Sequence, residues 1–332
     1  MIKKFISWMI VLGITAFAFT YALWDIDFKE LGKLLAGGDY RCVLPMLVLL
    51  FLFFWLKAIR WTIILRPLGD FSVFEVTPSM MIGFAGNNVL PGHLGEFVRT
   101  GIFSHRFSSP ITSVFTTLVV ERIMDVVAVF TLYEAGIALA DSAPESLKVG
   151  AWFIAPVLVG LIAALGLMLF KPGIVHGIWD FFGRYLPDRF RKKGSAIIAN
   201  VIHAFSSFRS LRSVCALIAL SFLKWILMAG ILWFSVYAYG QTMPFELSFI
   251  VVGVITLAIT VPAAPGFFGT IQAVFVFALK PFGISETIAF AASVLFLIAQ
   301  WIPITGLGLY FFLAGGLRLA DVRKEVEEAS LG

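Results

Sequence analysis

Long runs of uncharged, apolar residues follow one another along this chain, and short polar stretches separate them. The first run extends from Phe5 to Trp24 behind Lys3 and Lys4, and its 20 residues match a bilayer core of about 30 Å. A cleaved signal peptide has a shorter apolar core than this run. We therefore interpret residues 5–24 as a retained first membrane span.

Later runs of the same character predict an all-α polytopic integral membrane protein with about 7–8 transmembrane helices. The predicted helices cover residues 42–65, 110 to about 133, 149–170 and 213–239. Ser109-Pro110 is typical of a helix start, with the serine as N-cap and the proline at the first helical position. The run 287–317 contains Pro303 and is too long for one span, so we predict two short helices there.

Two segments in the chain resemble each other and predict an internal repeat. Each is a Pro-Gly-x-x-Gly motif behind a short apolar run, over 76–90 and 247–264. About 15 helical residues span only about 23 Å, so such a helix ends inside the bilayer, and a Pro-Gly break then turns the chain back. We predict two re-entrant broken-helix hairpins in an inverted repeat; two plain surface turns are the alternative. The predicted helix breaks are Pro91, Gly92, Gly95, Pro265, Gly266 and Gly269.

The resulting plan is one membrane domain over residues 1–332. Repeat 1 covers about 42–170, a basic segment covers 171–212, and repeat 2 covers about 213–318. The basic segment fits two amphipathic helices on an anionic leaflet, and equally a plain cytoplasmic loop. Its charge places it in the cytoplasm together with the N-terminus. Counting spans puts the C-terminus outside, whereas the basic residues of 318–324 favour the inside, and both assignments stay open.

Composition supports this plan and excludes other classes of protein. Hydrophobic residues make up 60% and charged residues 14%, against about 45–50% and 25% in soluble domains. The net charge of +5 is spread over short loops, so we expect no nucleic-acid partner. Two distant cysteines and four scattered histidines show no metal-ligand spacing, so we expect neither metal nor cofactor.

Three charged residues, Glu121, Arg122 and Asp125, lie inside the apolar helix predicted to begin at Pro110. Glu121 is about 16 Å along that helix, near the bilayer centre. Each such charge costs about 2.5–3.5 kcal/mol on insertion scales, so these side chains must face protein or water. Glu121 and Asp125 share one helix face, and Arg122 is placed to reach Asp125 at i,i+3.

Basic residues on other predicted helices supply partners for these acids. The candidates are Lys57, Arg60, Arg99 and Lys224. Lys224 lies too deep to reach water easily, whereas we expect Lys57 and Arg60 to extend towards the cytoplasmic interface. The charges form either an ion-pair network that fixes helix packing or a polar path for a headgroup or a proton.

Asn87, Asn88 and His93 flank the first break. The two amides either satisfy backbone groups that Pro91 leaves open or contact a polar headgroup. His93 is either a structural histidine or a group that titrates near neutral pH.

Three motifs together resemble a known family. They are Asn87-Asn-Val-Leu-Pro-Gly-His-Leu-Gly-Glu96-x-x-Arg99, Glu121-Arg-x-x-Asp125 and Pro265-Gly-x-x-Gly269. They resemble the lysylphosphatidylglycerol synthase transmembrane-region family, also called flippase-like-domain proteins, over roughly residues 5–318. In that family the membrane part of the bacterial multiple peptide resistance factor flips aminoacylated phospholipids. The resemblance implies a polar core of Asn87, Asn88, Glu96, Arg99, Glu121, Arg122 and Asp125.

The chain departs from the family pattern at His93, where arginine is common, and at Thr270, where many relatives have an acid. We expect the soluble aminoacyl-transferase domain to be missing as well. Both substitutions leave the headgroup preference open.

We therefore predict a lipid flippase that is not an enzyme, with a translocation site of Asn87, Asn88, His93, Glu96, Arg99, Glu121, Arg122, Asp125 and Lys224. The sequence has no GxxxxGK[ST] motif, so movement is passive or driven by a proton or the membrane potential. A secondary transporter of a small solute and a transferase acting on a lipid-linked sugar are the alternatives. The expected partners are membrane lipids, with a homo-oligomer left open, in a bacterial or archaeal plasma membrane.

Overall fold

The regular structure of the described part of the chain is entirely helical. A computed structural model describes residues 13, 15–90, 93–140, 144–185, 187–188, 191, 194–195, 198–199, 211–260 and 264–315. The helices are α1 (15–23), α2 (Phe28–Gly37), α3 (Val43–Leu65), α4 (Val73–Val89), α5 (Leu94–Phe107), α6 (Ile111–Leu139), α7 (Glu145–Phe170), α8 (Pro172–Gly183), α9 (Leu211–Tyr237), α10 (Phe245–Ala258), α11 (Thr270–Leu279) and α12 (Glu286–Ala314).

Five helical stretches within the described ranges are long and apolar enough to cross a membrane. They are Tyr40–Leu68, Glu145–Met168, Arg212–Tyr237, Pro265–Phe282 and Glu286–Ala314. The prediction of an all-α polytopic membrane protein is confirmed. Of the predicted first span, residues 15–23 are described and helical. In the basic segment α8 is helical, as one of the two alternatives expected, and most of the second amphipathic helix of that alternative lies outside the described residues.

The prediction of two short helices around Pro303 is wrong, because α12 runs unbroken through this residue. One proline removes a single backbone hydrogen bond, here the one that the Ala299 carbonyl would accept, and transmembrane helices tolerate that loss. The predicted ends of α6 also need correction. Pro110 occupies the N-cap position rather than the first helical position, and the helix continues to Leu139.

Two pairs of short helices stand where the hairpins are predicted. α4 and α5 pack tightly because Gly83 and Gly95 meet: a Cβ on Gly95 would lie 2.0 Å from the Gly83 carbonyl oxygen. At the second break, between α10 and α11, Gly266 and Gly269 have φ values of 69° and 84°, which glycine adopts without strain. Pro91 and Gly92 lie outside the described residues. Whether either pair re-enters the bilayer stays a prediction.

The packing of the two halves is reciprocal. α3 packs against α9, α4 packs against α12, and α10 packs against α6. If the halves are exchanged, so that α3–α6 take the places of α9–α12, the α4–α12 contact becomes the α10–α6 contact. A two-fold related repeat produces this pattern, so the packing favours the predicted repeat.

Candidate functional site

A cluster of six buried charged side chains lies where α3, α5, α6 and α9 meet. Each of the six residues is at most 4% exposed. The members are Lys57 and Arg60 from α3, Arg99 from α5, Glu121 and Asp125 from α6, and Lys224 from α9. Spacings of three residues on α3 and four on α6 place each pair on one helix face, which is why the two helices present their charges to each other.

Glu121 is surrounded by three cations. Its Oε1 lies 2.6 Å from the Lys57 Nζ and 3.6 Å from Arg60 Nη2, and its Oε2 accepts a hydrogen bond of 3.1 Å from Arg99 Nη2. The Arg99 guanidinium also stacks on Trp61, 3.6 Å from the ring centroid. A desolvated cation over a tryptophan face adds about 2 kcal/mol of attraction.

Asp125 is held in the same way by α3 and α9. Its Oδ1 lies 2.5 Å from Arg60 Nη1 and 2.7 Å from the Lys224 Nζ, and accepts a hydrogen bond of 3.2 Å from Trp225 Nε1. Lys57 Nζ is 3.9 Å from its other oxygen. Asp125 therefore ties together one helix of each half of the chain through α6.

All four predicted cationic partners reach these acids, but two side-chain predictions are wrong. Lys57 and Arg60 do not extend to an interface; they are 2% and 0% exposed, because the carboxylates of α6 face them across the helix contact. Arg122 does not pair with Asp125. It pairs with Glu96 of α5, since four other groups already surround the Asp125 carboxylate.

The six buried charges do not balance. By residue type four are basic and two are acidic, which leaves a formal excess of two positive charges. An uncompensated buried charge is strongly unfavourable, so the cluster is suited to bind an anion.

A central cavity of about 190 Å³ lies against this cluster. Lys57, Arg122, Asp125 and Lys224 form its charged side. Uncharged polar side chains of α4, α10 and α12 also line it, namely Asn88, Thr256, Gln300 and Trp301. The remaining lining is apolar, so the cavity is amphipathic.

The second helix break borders this cavity, and His93 of the first break contacts the second break. Gly266 and Phe267 of the second break line it. His93, at the first break, lies with its Nε2 3.0 Å from the Ile259 carbonyl oxygen and its ring 5.3 Å from that of Phe267. The two breaks of the two halves are therefore in contact beside the charged cluster.

The two asparagines have different surroundings. Asn88 reaches the cavity and donates a hydrogen bond of 3.0 Å from its Nδ2 to Thr305 Oγ1 of α12. Asn87 is buried in the α4–α5 contact, where its backbone N and Oδ1 lie close to Gly95. The sequence assigned both asparagines to the translocation site, whereas in the structure only Asn88 lines the cavity.

Several lining residues were not found from the sequence. Trp225, Phe267, Gln300 and Trp301 all line the cavity. Gln300 had a signal, because it is a glutamine inside an uncharged run of the last span. The aromatic residues had none, since 15% of the chain is aromatic.

The lysylphosphatidylglycerol synthase TM region family matches residues 8–308 of the chain. This match covers most of the sequence, so the chain belongs to that family, as the motif resemblance indicated. It is accordingly an integral membrane protein.

Three curated relatives are similar to this chain. A UPF0104 membrane protein of Methanothermobacter thermautotrophicus is 24% identical over 331 residues, which is 91% of this chain and 93% of that protein. Glycosyltransferase AglD of Haloferax volcanii is 26% identical over 305 residues, 81% of this chain but only 48% of AglD. UPF0104 membrane protein PH1989 of Pyrococcus horikoshii is 30% identical over 132 residues, 38% of each chain.

Proposed function

We propose that this family member moves an anionic lipid between the leaflets of the bilayer, with the headgroup passing through the central cavity. The observation that carries this proposal is the cavity itself, which has a cationic side at the depth of the membrane spans. Buried charges in a membrane protein are rare and typically mark the path of a polar substrate. The expected substrate is a phospholipid or a lipid-linked amphiphile.

The charge balance indicates the headgroup chemistry. Glu121 and Asp125 each have three cations within 4 Å, so neither carboxylate is free to bind a cationic substituent. The two excess positive charges are instead suited to a phosphate, which accepts charge-assisted hydrogen bonds from lysine and arginine. Lys57, Arg122 and Lys224 line the cavity and are the proposed phosphate contacts.

Uncharged donors line the cavity together with these cations. The Trp301 Nε1 group is buried and has no hydrogen-bond partner among the described residues. The amide of Asn88 and the side chain of Gln300 lie beside it. A phosphate oxygen entering the cavity would satisfy the Trp301 N–H, since an unpaired buried polar group costs about 1–3 kcal/mol. Asn88 and Gln300 already donate to Thr305 and to the Phe296 carbonyl.

The ion pairs of Glu121 and Asp125 also indicate what drives the movement of the lipid. A proton relay needs a carboxylate that is free to exchange its proton, whereas Glu121 and Asp125 are enclosed by cations. We therefore propose passive movement down the lipid gradient, without a proton carried on either acid.

The lateral boundary of the cavity favours a lipid over a small soluble solute. Phe54 and Ile304 line both the cavity and a depression on the outer face between α3 and α12. A site that borders the bilayer side suits a substrate whose chains stay in the lipid.

The test is translocation of headgroup-labelled lipids in vesicles containing the pure protein. Lys224→Met removes one cavity cation while Asp125 keeps Arg60 and Lys57, so the variant is expected to fold and to lose transport of phosphatidylglycerol. Lys148→Met is the matched control, because Lys148 lies on the surface of α7 and pairs only with Glu145 among the described residues. Equal transport by both variants, with both eluting as folded protein, would refute the proposed site.

A transferase acting on a lipid-linked sugar is the second candidate, favoured by the similarity to a glycosyltransferase. The matched region is about half of that relative, so its activity does not pass to this chain without a direct test. Incubating the pure protein with a labelled lipid-linked sugar distinguishes the two functions. Turnover of the label would support the transferase, and movement without turnover would support the flippase.

A further inference from the structure

An apolar furrow runs along the outer face of the protein between α3 and α12, and residues of α4 also line it. It consists of two depressions of about 380 and 440 Å³ that share Leu47 and Pro303 as lining residues. Ligand pockets are typically about 300–1,000 Å³, so each depression has the volume of a binding site. The furrow forms because α3 packs along α9 while α12 packs along α4, so that α3 and α12 make few contacts with each other.

The furrow offers few polar groups among the side chains that line it. Thr77 donates its hydroxyl to the carbonyl of Val73, one turn back in its own helix. Tyr40 donates its hydroxyl to the Leu35 carbonyl. Tyr239 interacts with Tyr40, and the Trp55 indole N–H is the remaining polar side-chain group of the lining. The other lining side chains are apolar, so a polar ligand would lose most of its hydrogen bonds to water without replacement. A hydrocarbon chain has no such cost.

The furrow leads to the charged cavity. Phe54 and Ile304 line both spaces, so one layer of side chains separates them. Behind Phe54, the ring of Phe84 lies 5.2 Å away in edge-on contact, and Lys57 Nζ is 4.8 Å from the Phe84 centroid. Two aromatic rings, those of Phe54 and Phe84, therefore separate the apolar furrow from the buried ammonium group of Lys57.

We propose that this furrow holds a hydrocarbon chain of the same lipid whose phosphate occupies the cavity. The inference rests on the proposed function and adds a second contact site to it. A lipid joins an anionic headgroup to an apolar chain, and the cavity and the furrow present matching surfaces side by side. The furrow thereby selects the substrate chain and holds it between α3 and α12 while the headgroup crosses.

A paired substitution on one helix tests the furrow. Leu307 lines it, whereas Leu309, two positions further along α12, points to another face and lies outside it. The two residues have similar exposure, 49% and 54%. Leu307→Trp fills the furrow and is expected to slow lipid movement about tenfold, equivalent to about 1.4 kcal/mol in the barrier. Leu309→Trp makes the same chemical change on a neighbouring lipid-facing position and is expected to transport at the wild-type rate.

Photocrosslinking separates a substrate chain from bulk lipid. A phosphatidylglycerol with a diazirine in one acyl chain is expected to label peptides of α3 and α12, and unlabelled phosphatidylglycerol is expected to compete while phosphatidylcholine is not. If phosphatidylcholine competes equally, or if both tryptophan variants transport at the same rate, the furrow holds only ordinary boundary lipid and the inference is wrong.

Failure of the inference is distinguishable from failure of the proposed function. Wild-type protein that transports lipid together with an unaffected Leu307→Trp variant rejects the furrow alone. Folded wild-type protein that transports no lipid rejects the proposed movement, and selective competition in the crosslinking experiment would then still support a lipid-binding furrow.

Discussion

Replacing Glu121 by glutamine removes one of the two acids that hold four buried cations together. The variant keeps the shape of the side chain and changes only its charge. Because Lys57, Arg60 and Arg99 all contact this carboxylate, the buried excess of positive charge rises from two to three. We expect the helix contact between α3, α5 and α6 to weaken strongly.

The contact distances give the magnitude. The nearest nitrogens lie 2.6, 3.1 and 3.6 Å from the Glu121 oxygens. At an effective dielectric constant of about 20, one such contact contributes roughly 5 kcal/mol before desolvation is subtracted. Desolvation offsets much of this attraction, and removal of one partner from a buried pair typically destabilises a protein by about 3–5 kcal/mol. We expect a loss in that range for Glu121→Gln.

Unfolding of the purified protein in detergent measures this loss. Glu145→Gln is the matched control, since Glu145 forms a surface pair with Lys148 and its side chain is 85% exposed. Such exposed pairs contribute about 0–1 kcal/mol. Adding Lys57→Met to Glu121→Gln removes one of the stranded cations, so the double variant is expected to recover part of the lost stability.

An outcome in which Glu121→Gln and Glu145→Gln unfold alike would contradict the buried network. A double variant that is less stable than the sum of its two single changes would also contradict it. Transport by Glu121→Gln is informative only after its folding has been verified, so a cation such as Lys224 is the better target for a functional test.

Three further substitutions test other parts of the structure. Gly95→Ala places a Cβ 2.0 Å from a carbonyl oxygen of α4, so we expect it to lower the thermal unfolding temperature. Gly160→Ala is the control, because a Cβ there would have no atom within 4 Å, and we expect its unfolding temperature to stay unchanged. Arg122→Gln breaks a partly exposed pair, 44% and 22% exposed, so we expect little change in stability and slower movement of anionic lipid in the vesicle assay. Trp61→Leu removes the ring under Arg99, and an unfolding loss below about 0.5 kcal/mol would refute a desolvated cation–π contact there.

The helical nature of the chain and the approximate position of its long apolar helices were largely predictable because a bilayer imposes them on the sequence. A span needs about 20 apolar residues, and such runs are visible without any knowledge of contacts. The prediction of a break at Pro303 was wrong because contacts with other helices, which the sequence does not show, decide the outcome there. Local sequence shows that proline removes a hydrogen bond, but the surrounding helices determine whether α12 breaks or continues.

The candidate site was predictable in its members and not in its arrangement. The charges within apolar runs identified Glu121, Asp125 and their four cationic partners, because lipid does not tolerate such groups. Which cation meets which acid depends on the rotation and approach of separate helices. For that reason the sequence assigned Arg122 to Asp125, whereas Glu96 of α5 is its partner in the fold.

The sequence by itself therefore determined the helical membrane architecture and the candidate charged residues, since both follow from local pattern against a lipid solvent, and its motifs indicated the family. Only the tertiary structure decided that four cations enclose two acids, that Gln300 and Trp301 line the same cavity as Lys57 and Lys224, and that a furrow opens beside it between α3 and α12. These features join residues more than 150 positions apart, and their proximity comes from helix packing, which no local pattern encodes.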